Sequence, residues 1–131
     1  MTVSEHSLSP KLTEETLATL VNAFYARVQA DALLSTVFNT AVPDGHWPAH
    51  LERMAAFWSS IMLTSGRYHG NPMLAHLKHG NAITPAMFAR WLELWEQTAS
   101  EQLAPDPADA ILAKAQRMAR NLQFGLFQHA A

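Results

Sequence analysis

The sequence predicts an all-α fold, and three observations carry that prediction. Apolar residues recur three and four positions apart over several long segments, a spacing that draws one stripe along a helix. Four prolines stand where the first turn of a helix tolerates them, in Ser9-Pro10, Trp47-Pro48, Thr84-Pro85 and Asp106-Pro107. No stretch alternates β-branched and polar residues as a half-buried strand would, and no repeat of fixed period occurs.

Residues 1–12 read as a flexible extension or a short first helix. Over residues 13–29, Leu17, Leu20, Val21, Phe24 and Val28 form a stripe, and Glu14 and Glu15 suit the positive end of that helix. A short turn of helix at 32–38 precedes the breaker-rich 40–45. Residues 48–63 carry Leu51, Met54, Phe57, Trp58, Ile61 and Met62, a band wide enough for a helix largely inside. His50 shares a face with Met54, Phe57 and Ile61.

Gly66, Gly70, Asn71 and Pro72 then break the chain. Only a short helical piece, bearing His76, fits at 72–78 before Gly80 and Asn81 break it again. Residues 85–102 place Phe88, Trp91, Leu92 and Trp95 on one face. From Pro107 onward, Ile111, Leu112, Ala115, Met118, Ala119, Leu122 and Leu126 form the last stripe. The expectation is four long helices, two short ones and no sheet, in one domain over 1–131.

Composition narrows the function. A chain of 131 residues buries roughly two-thirds of its unfolded surface, enough for one core. The formal net charge is −2 and no run of Lys or Arg would neutralise several phosphates, so nucleic acid is not an expected partner. With no cysteine, disulfides, thiolate metal sites, iron–sulfur clusters and covalent haem attachment are excluded. The start lacks a basic stretch followed by an apolar one, and the longest apolar run, at 54–66, is shorter than the ~20 residues of a spanning helix. A cytoplasmic protein without a membrane partner is expected.

The chemistry rests on rings. Phe24, Tyr25, Phe38, His50, Phe57, Trp58, His76 and Trp91 lie on separate helical segments. One metal ligand, a few polar donors and many flat apolar side chains are what a buried haem requires. The plain alternative is a core, the role assigned to Trp58, Trp95, Phe88, Phe124 and Phe127. Tyr25 and Trp91 fit that alternative less well, because a buried O–H or N–H must find a partner. Of the seven histidines, His6 and His129 lie near the ends and receive no role. His46 and His50 have zinc-protease spacing but lack the glutamate between them, and no glutamate stands three before His50, His76 or His79 as a di-iron bundle would need. No phosphate loop, nucleophile elbow or paired-carboxylate motif occurs, and Glu93 and Glu96 read as a solvated face.

Five segments in order, LVNAFYARV at 20–28, VFN at 37–39, WPAHLERMAAFW at 47–58, YHGNPMLAHL at 68–77 and FARWLELW at 88–95, resemble the truncated haemoglobins of bacteria, specifically their third group. The resemblance spans about residues 17–122. It implies a shortened globin fold, two pairs of antiparallel helices sandwiching haem b, iron protoporphyrin IX held without covalent bonds. It implies His76 as the proximal iron ligand through Nε2, with His79 as fallback, and Phe38 against the haem face. Tyr25, His50 and Trp91 would be the distal polar residues and Met54, Phe24 and Phe57 the apolar walls. Arg53, Tyr68 and Lys78 are candidate propionate partners. The glycine-pair motifs of other groups are absent, as this group requires.

From that resemblance follows a ferrous iron open to O2, CO or NO and returned to that state by an unidentified reductase. Donors from Tyr25 and Trp91 would slow ligand escape, which suits redox chemistry, such as NO oxidation or a peroxidase-like reaction, better than oxygen transport. Two rivals stand beside it: a cofactor-free helical interaction module, and a histidine-bound non-haem metal protein.

Overall fold

A computed structural model describes residues 8–127. Among these, six helices occur: α1 (Glu14–Ala30), α2 (Ser35–Ala41), α3 (Trp47–Leu63), α4 (Pro72–Leu77), α5 (Pro85–Gln102) and α6 (Pro105–Phe127). There is no sheet among the described residues, only one isolated bridge between Ser9 and Leu103. None of the helices is long and apolar enough to cross a membrane.

α1 starts at a capping box: the Thr13 hydroxyl accepts from the Thr16 backbone N–H, and the Thr16 side chain answers at the Thr13 N–H. Its stripe of Leu17, Leu20, Val21, Phe24 and Val28 is fully buried. α1 packs on α2, α3 and α5, so it is the central beam. α5 and α6 are joined by only Leu103 and Ala104, which forces them to run back along one another. Burying one Leu or Phe contributes about 1.5–3 kcal/mol. The large side chains Trp58, Trp95, Phe24, Leu17 and Leu20 therefore anchor the assembly.

Several boundaries differ from the sequence expectation. Ser9-Pro10 does not open a helix, because the Ser9 N–H donates to the Gln102 carbonyl and its carbonyl accepts from Ala104, both at 2.9 Å. α6 begins at Pro105, two residues early, since proline's missing N–H costs nothing at the first helical position. α2 lies about three residues later than expected. The Asp31 carboxylate accepts from the N–H groups of Leu33 and Leu34 and holds a turn there, and the helix runs two residues into the breaker-rich 40–45 before it ends at Ala41. Partial burial pulls the Asp31 carboxyl upward, but its bond from Arg90, at 2.7 Å, and those backbone donors outweigh this and hold it below the usual range.

Two side-chain placements are corrected as well. Phe124, expected in the core, is 69% exposed. It follows buried Leu122 by two residues, roughly 200° around the helix, so it faces away from the stripe. α3 is less enclosed than expected: only Phe57, Trp58 and Ser59 are buried and Ile61 is exposed, because one side of the helix meets α1 and another borders a cavity.

The segment joining α3 to α4 is tied down at three points. The Ser59 hydroxyl, fully buried, bonds the Ser65 hydroxyl at 2.7 Å and the Glu14 carboxylate at 2.6 Å. Arg67 pairs with the other oxygen of that carboxylate. The Tyr68 N–H donates to the Ser60 hydroxyl at 2.9 Å. Thr64, at φ 54°, supplies the left-handed residue that ends α3.

α4 is short because it is bracketed: Asn71 caps it by accepting from the Leu74 N–H at 3.1 Å, Pro72 opens it, and Gly80 lies just beyond. None of its residues is buried. It packs on α6, where Gly125 leaves room for Met73: a Cβ there would fall 2.5 Å from the Met73 Cε.

Candidate functional site

The helices leave a cavity of about 400 Å³ that residues from all six of them line. That lies within the ~300–1,000 Å³ range usual for cofactor pockets. Its lining is mostly apolar: Leu34, Val37, Phe38 and Val42 around α2, Met54 and Phe57 from α3, Met87 and Phe88 from α5, Met118 and Leu122 from α6. Tyr25, His50, Trp91, His76 and His79 add polar groups, and Arg53, Tyr68 and Lys78 also border it. A second, shallow recess of about 550 Å³ between α1 and α3 is lined by exposed Glu14, Glu15, Glu52 and Arg67 and lacks such a set of rings.

On the wall made by α4, the His76 Nδ1 lies 2.7 Å from the Pro72 carbonyl oxygen, one turn back. A carbonyl only accepts, so Nδ1 carries the proton and Nε2 is left with a free lone pair. The Phe88 ring lies 6.4 Å from the imidazole at 24°, nearly parallel. Phe88 thus borders the cavity as well as belonging to the core. Its place three residues before Trp91 on one helical face was the signal available in the sequence.

Tyr25 and His50 line the same cavity, and their rings meet edge to face at 5.3 Å. Tyr25 is 5% exposed, and burial pushes its phenol well above its ordinary range, so it stays a neutral O–H donor. The His50 Nε2 is buried with no hydrogen-bond partner in the protein. Such an orphan costs about 1–3 kcal/mol unless something else satisfies it. Burial first, and the Arg53 charge second, lower the His50 pKa, so the ring is neutral at pH 7.

Trp47 packs on this pair, 5.3 Å from His50 and 6.1 Å from Tyr25. Sequence reading assigned its ring no role in the site, because Trp47 entered only as a helix start and as the first residue of the 47–58 segment. Phe38 meets Tyr25 edge-on at 5.8 Å. Phe24 stands one layer behind the cavity, stacked on Trp95 at 4.2 Å and edge-on to Trp91 at 5.9 Å, so it supports the wall without being its surface. The Trp95 Nε1 is also unpartnered, within the core. Tyr68 leans edge-on against Phe57 at 5.0 Å, and Gly70 makes room for its hydroxyl. Among the described residues no three His, Asp or Glu side chains converge as a non-haem metal site would require. His6 and His129 lie outside the described residues.

This arrangement suits a flat, largely apolar group with one metal. An imidazole with an unshared lone pair, a few polar donors and many apolar side chains line one space.

Six helices in this order around such a cavity form the truncated globin fold, and the chain belongs to the bacterial-like globin family, whose profile matches residues 13–124. Globin membership implies a haem cofactor and the binding of diatomic ligands. The chain is similar to the group 3 truncated hemoglobin ctb of Campylobacter jejuni, 29% identical over 120 residues that cover 90% of this chain and 94% of that one. It is similar in structure to a crystal structure of group III truncated hemoglobin from the same organism, with a TM-score of 0.84 at 28% identity, covering 94% and 98% of the two chains.

Proposed function

We propose that the chain binds haem b without covalent attachment, with His76 as proximal ligand, and uses it for O2- or NO-related redox chemistry rather than oxygen transport. The observation that supports this reading is that a tautomer-fixed imidazole and the polar groups of Tyr25, His50 and Trp91 line one largely apolar cavity. When bound, haem supplies a ferrous iron with one coordination position open to O2, CO or NO.

The protein's own groups then set the outcome. His76 presents Nε2, and the Pro72 carbonyl holds the ring in that tautomer and raises its basicity. The Tyr25 hydroxyl and the Trp91 indole N–H line the cavity as donors and would hold a diatomic ligand that carries partial negative charge, each such bond being worth about 1–3 kcal/mol in a dry pocket. That retains O2 and disfavours carriage. His50, neutral and unpartnered, either donates to the same ligand or swings on the ligand's entry path. Phe38, Met54 and Phe57 exclude water. Arg53, Tyr68 and Lys78 stand at the cavity edge, where the propionates would reach solvent.

The test is the visible spectrum of haem-supplemented protein in its ferric, dithionite-reduced and CO-treated forms. The expected result is a Soret band that shifts sharply with CO and is lost in His76→Ala. Absence of a Soret band would leave a helical binding module. A band that survives His76→Ala and disappears in His79→Ala would move the ligand to His79.

A further inference from the structure

We propose that the exposed face formed by α4 and the C-terminal half of α6 docks an acidic one-electron carrier protein, which delivers the electron that returns the iron to the ferrous state. The proposal rests on the haem reading above. Its starting point is the distribution of exposed apolar side chains. Six large ones are exposed among the described residues, and three of them, Leu74, Leu77 and Phe124, lie on these two elements, at 58%, 50% and 69%. The Met73–Gly125 contact makes them neighbours, because Leu74 follows Met73 and Phe124 precedes Gly125.

Charge supplies the identity of the occupant. The chain carries eleven acidic and nine basic residues, so no overall basic excess exists. Yet 66–92 and 110–127 contain no Asp or Glu at all. Lys78, Lys114, Arg117 and Arg120 are exposed there, and among the described residues none of them joins an ion pair, whereas Arg27, Arg67 and Arg90 all do. Arg117 and Arg120 stand seven and four residues before Phe124, so basic and apolar groups share one helical face. The acids of the described residues lie elsewhere, on α1, α3, α5, the first turns of α6 and, as Asp31 and Asp44, in the connections around α2. Such a dipolar surface turns an acidic partner toward this face before contact. Apolar groups inside a basic rim match the anatomy of a protein interface.

Position explains why the partner carries electrons. The helices that form the outer face also line the cavity, through His76 on α4 and Met118 and Leu122 on α6. A carrier seated there is one helix thickness from the site. α4 has six residues and too few apolar groups to lie in a membrane surface.

The experiment uses haem-loaded ferric protein and follows its reduction by stopped flow. The donor is a photoreduced acidic flavodoxin, and free reduced riboflavin, small and uncharged, serves as the control. In the double variant Arg117→Glu, Arg120→Glu the rate with flavodoxin should fall about tenfold or more at ~10 mM salt and match the parent at ~0.5 M. Phe124→Ser should slow it about fivefold at both salts. Neither change should move the riboflavin rate or the Soret band. Amide shifts on titrating oxidised flavodoxin into the CO-bound protein should map to Leu74, Leu77 and Phe124. Flavodoxin rates equal in parent and variants would overturn the docking face while leaving the haem reading intact. Tighter binding to anionic lipid vesicles than to flavodoxin would overturn it too. Failure to load haem would remove the reading beneath it.

Discussion

The imidazole of His76 and the carbonyl of Pro72, one helical turn apart on α4, are joined at 2.7 Å through Nδ1. A six-residue helix thereby fixes the tautomer of its own histidine, with no help from a carboxylate. Proline at the first helical position both starts the helix and offers its carbonyl to the ring. In His76→Gly, haem dissociation should accelerate by at least about 100-fold, beyond what loss of an outer-shell partner produces. Millimolar imidazole should restore the Soret band. Unchanged haem retention would exclude His76 as the ligand.

Met73 and Gly125 make a second test. Alanine at 125 favours the helix by about 1 kcal/mol, but its Cβ displaces the Met73 thioether. That side chain has three rotatable bonds and swings aside cheaply. Gly125→Ala should therefore change global stability by no more than about 1 kcal/mol in urea unfolding, while haem leaves several-fold faster because α4 loses its seat. Hydrogen exchange confined to α4 would show the loosening; equal protection would count against it.

Tyr25→Phe removes one hydroxyl and no ring. Its O2 dissociation rate should rise about tenfold, the value of a single bond of about 1.4 kcal/mol. Trp91→Phe should have a similar effect, and the double variant should exceed either. Unchanged rates would take the distal donors out of the account.

His50 should titrate below 6.5, the ordinary value for the group, when followed by proton NMR in the diamagnetic CO form. Burial and Arg53 both oppose its protonation. The unfolded chain binds that proton first, so the stability His50 contributes is complete above about 6.5 and is lost as the pH falls through its folded value. His50→Gln should flatten the stability profile in that interval. A midpoint at or above 6.5 would contradict the burial argument.

Much of the site was legible in the sequence because local patterns wrote it. Breakers on both sides of 72–78 isolate a short helix, and only one of its positions carries a histidine. Three-four spacing places Tyr25 and Trp91 beside buried stripes. What escaped depends on distance along the chain. Ser9 pairs with Gln102 and Ala104, and Ser59 with Glu14, through polar contacts that no window of periodicity contains. Trp47 reaches Tyr25 on α1, a contact between helices, although its neighbour His50 is only one turn on in α3. Phe124 was misread because aromatic content outweighed its angle on α6, whereas Phe88 is in the core as expected and borders the cavity besides.

The bridge at Ser9 also sets an order of assembly. Its partners, Gln102 and Leu103, close α5, so the start of the described chain waits for nearly the whole of it to be made before the clasp can form. α1 buries its stripe against α5 as well as α3, which delays it further. During synthesis α1 thus meets α2 and α3 first and gains α5 only later, and joining such distant segments slows folding. The α5–α6 hairpin, with its two-residue connection, is the unit able to form quickly, and on the ribosome it emerges after α1–α4.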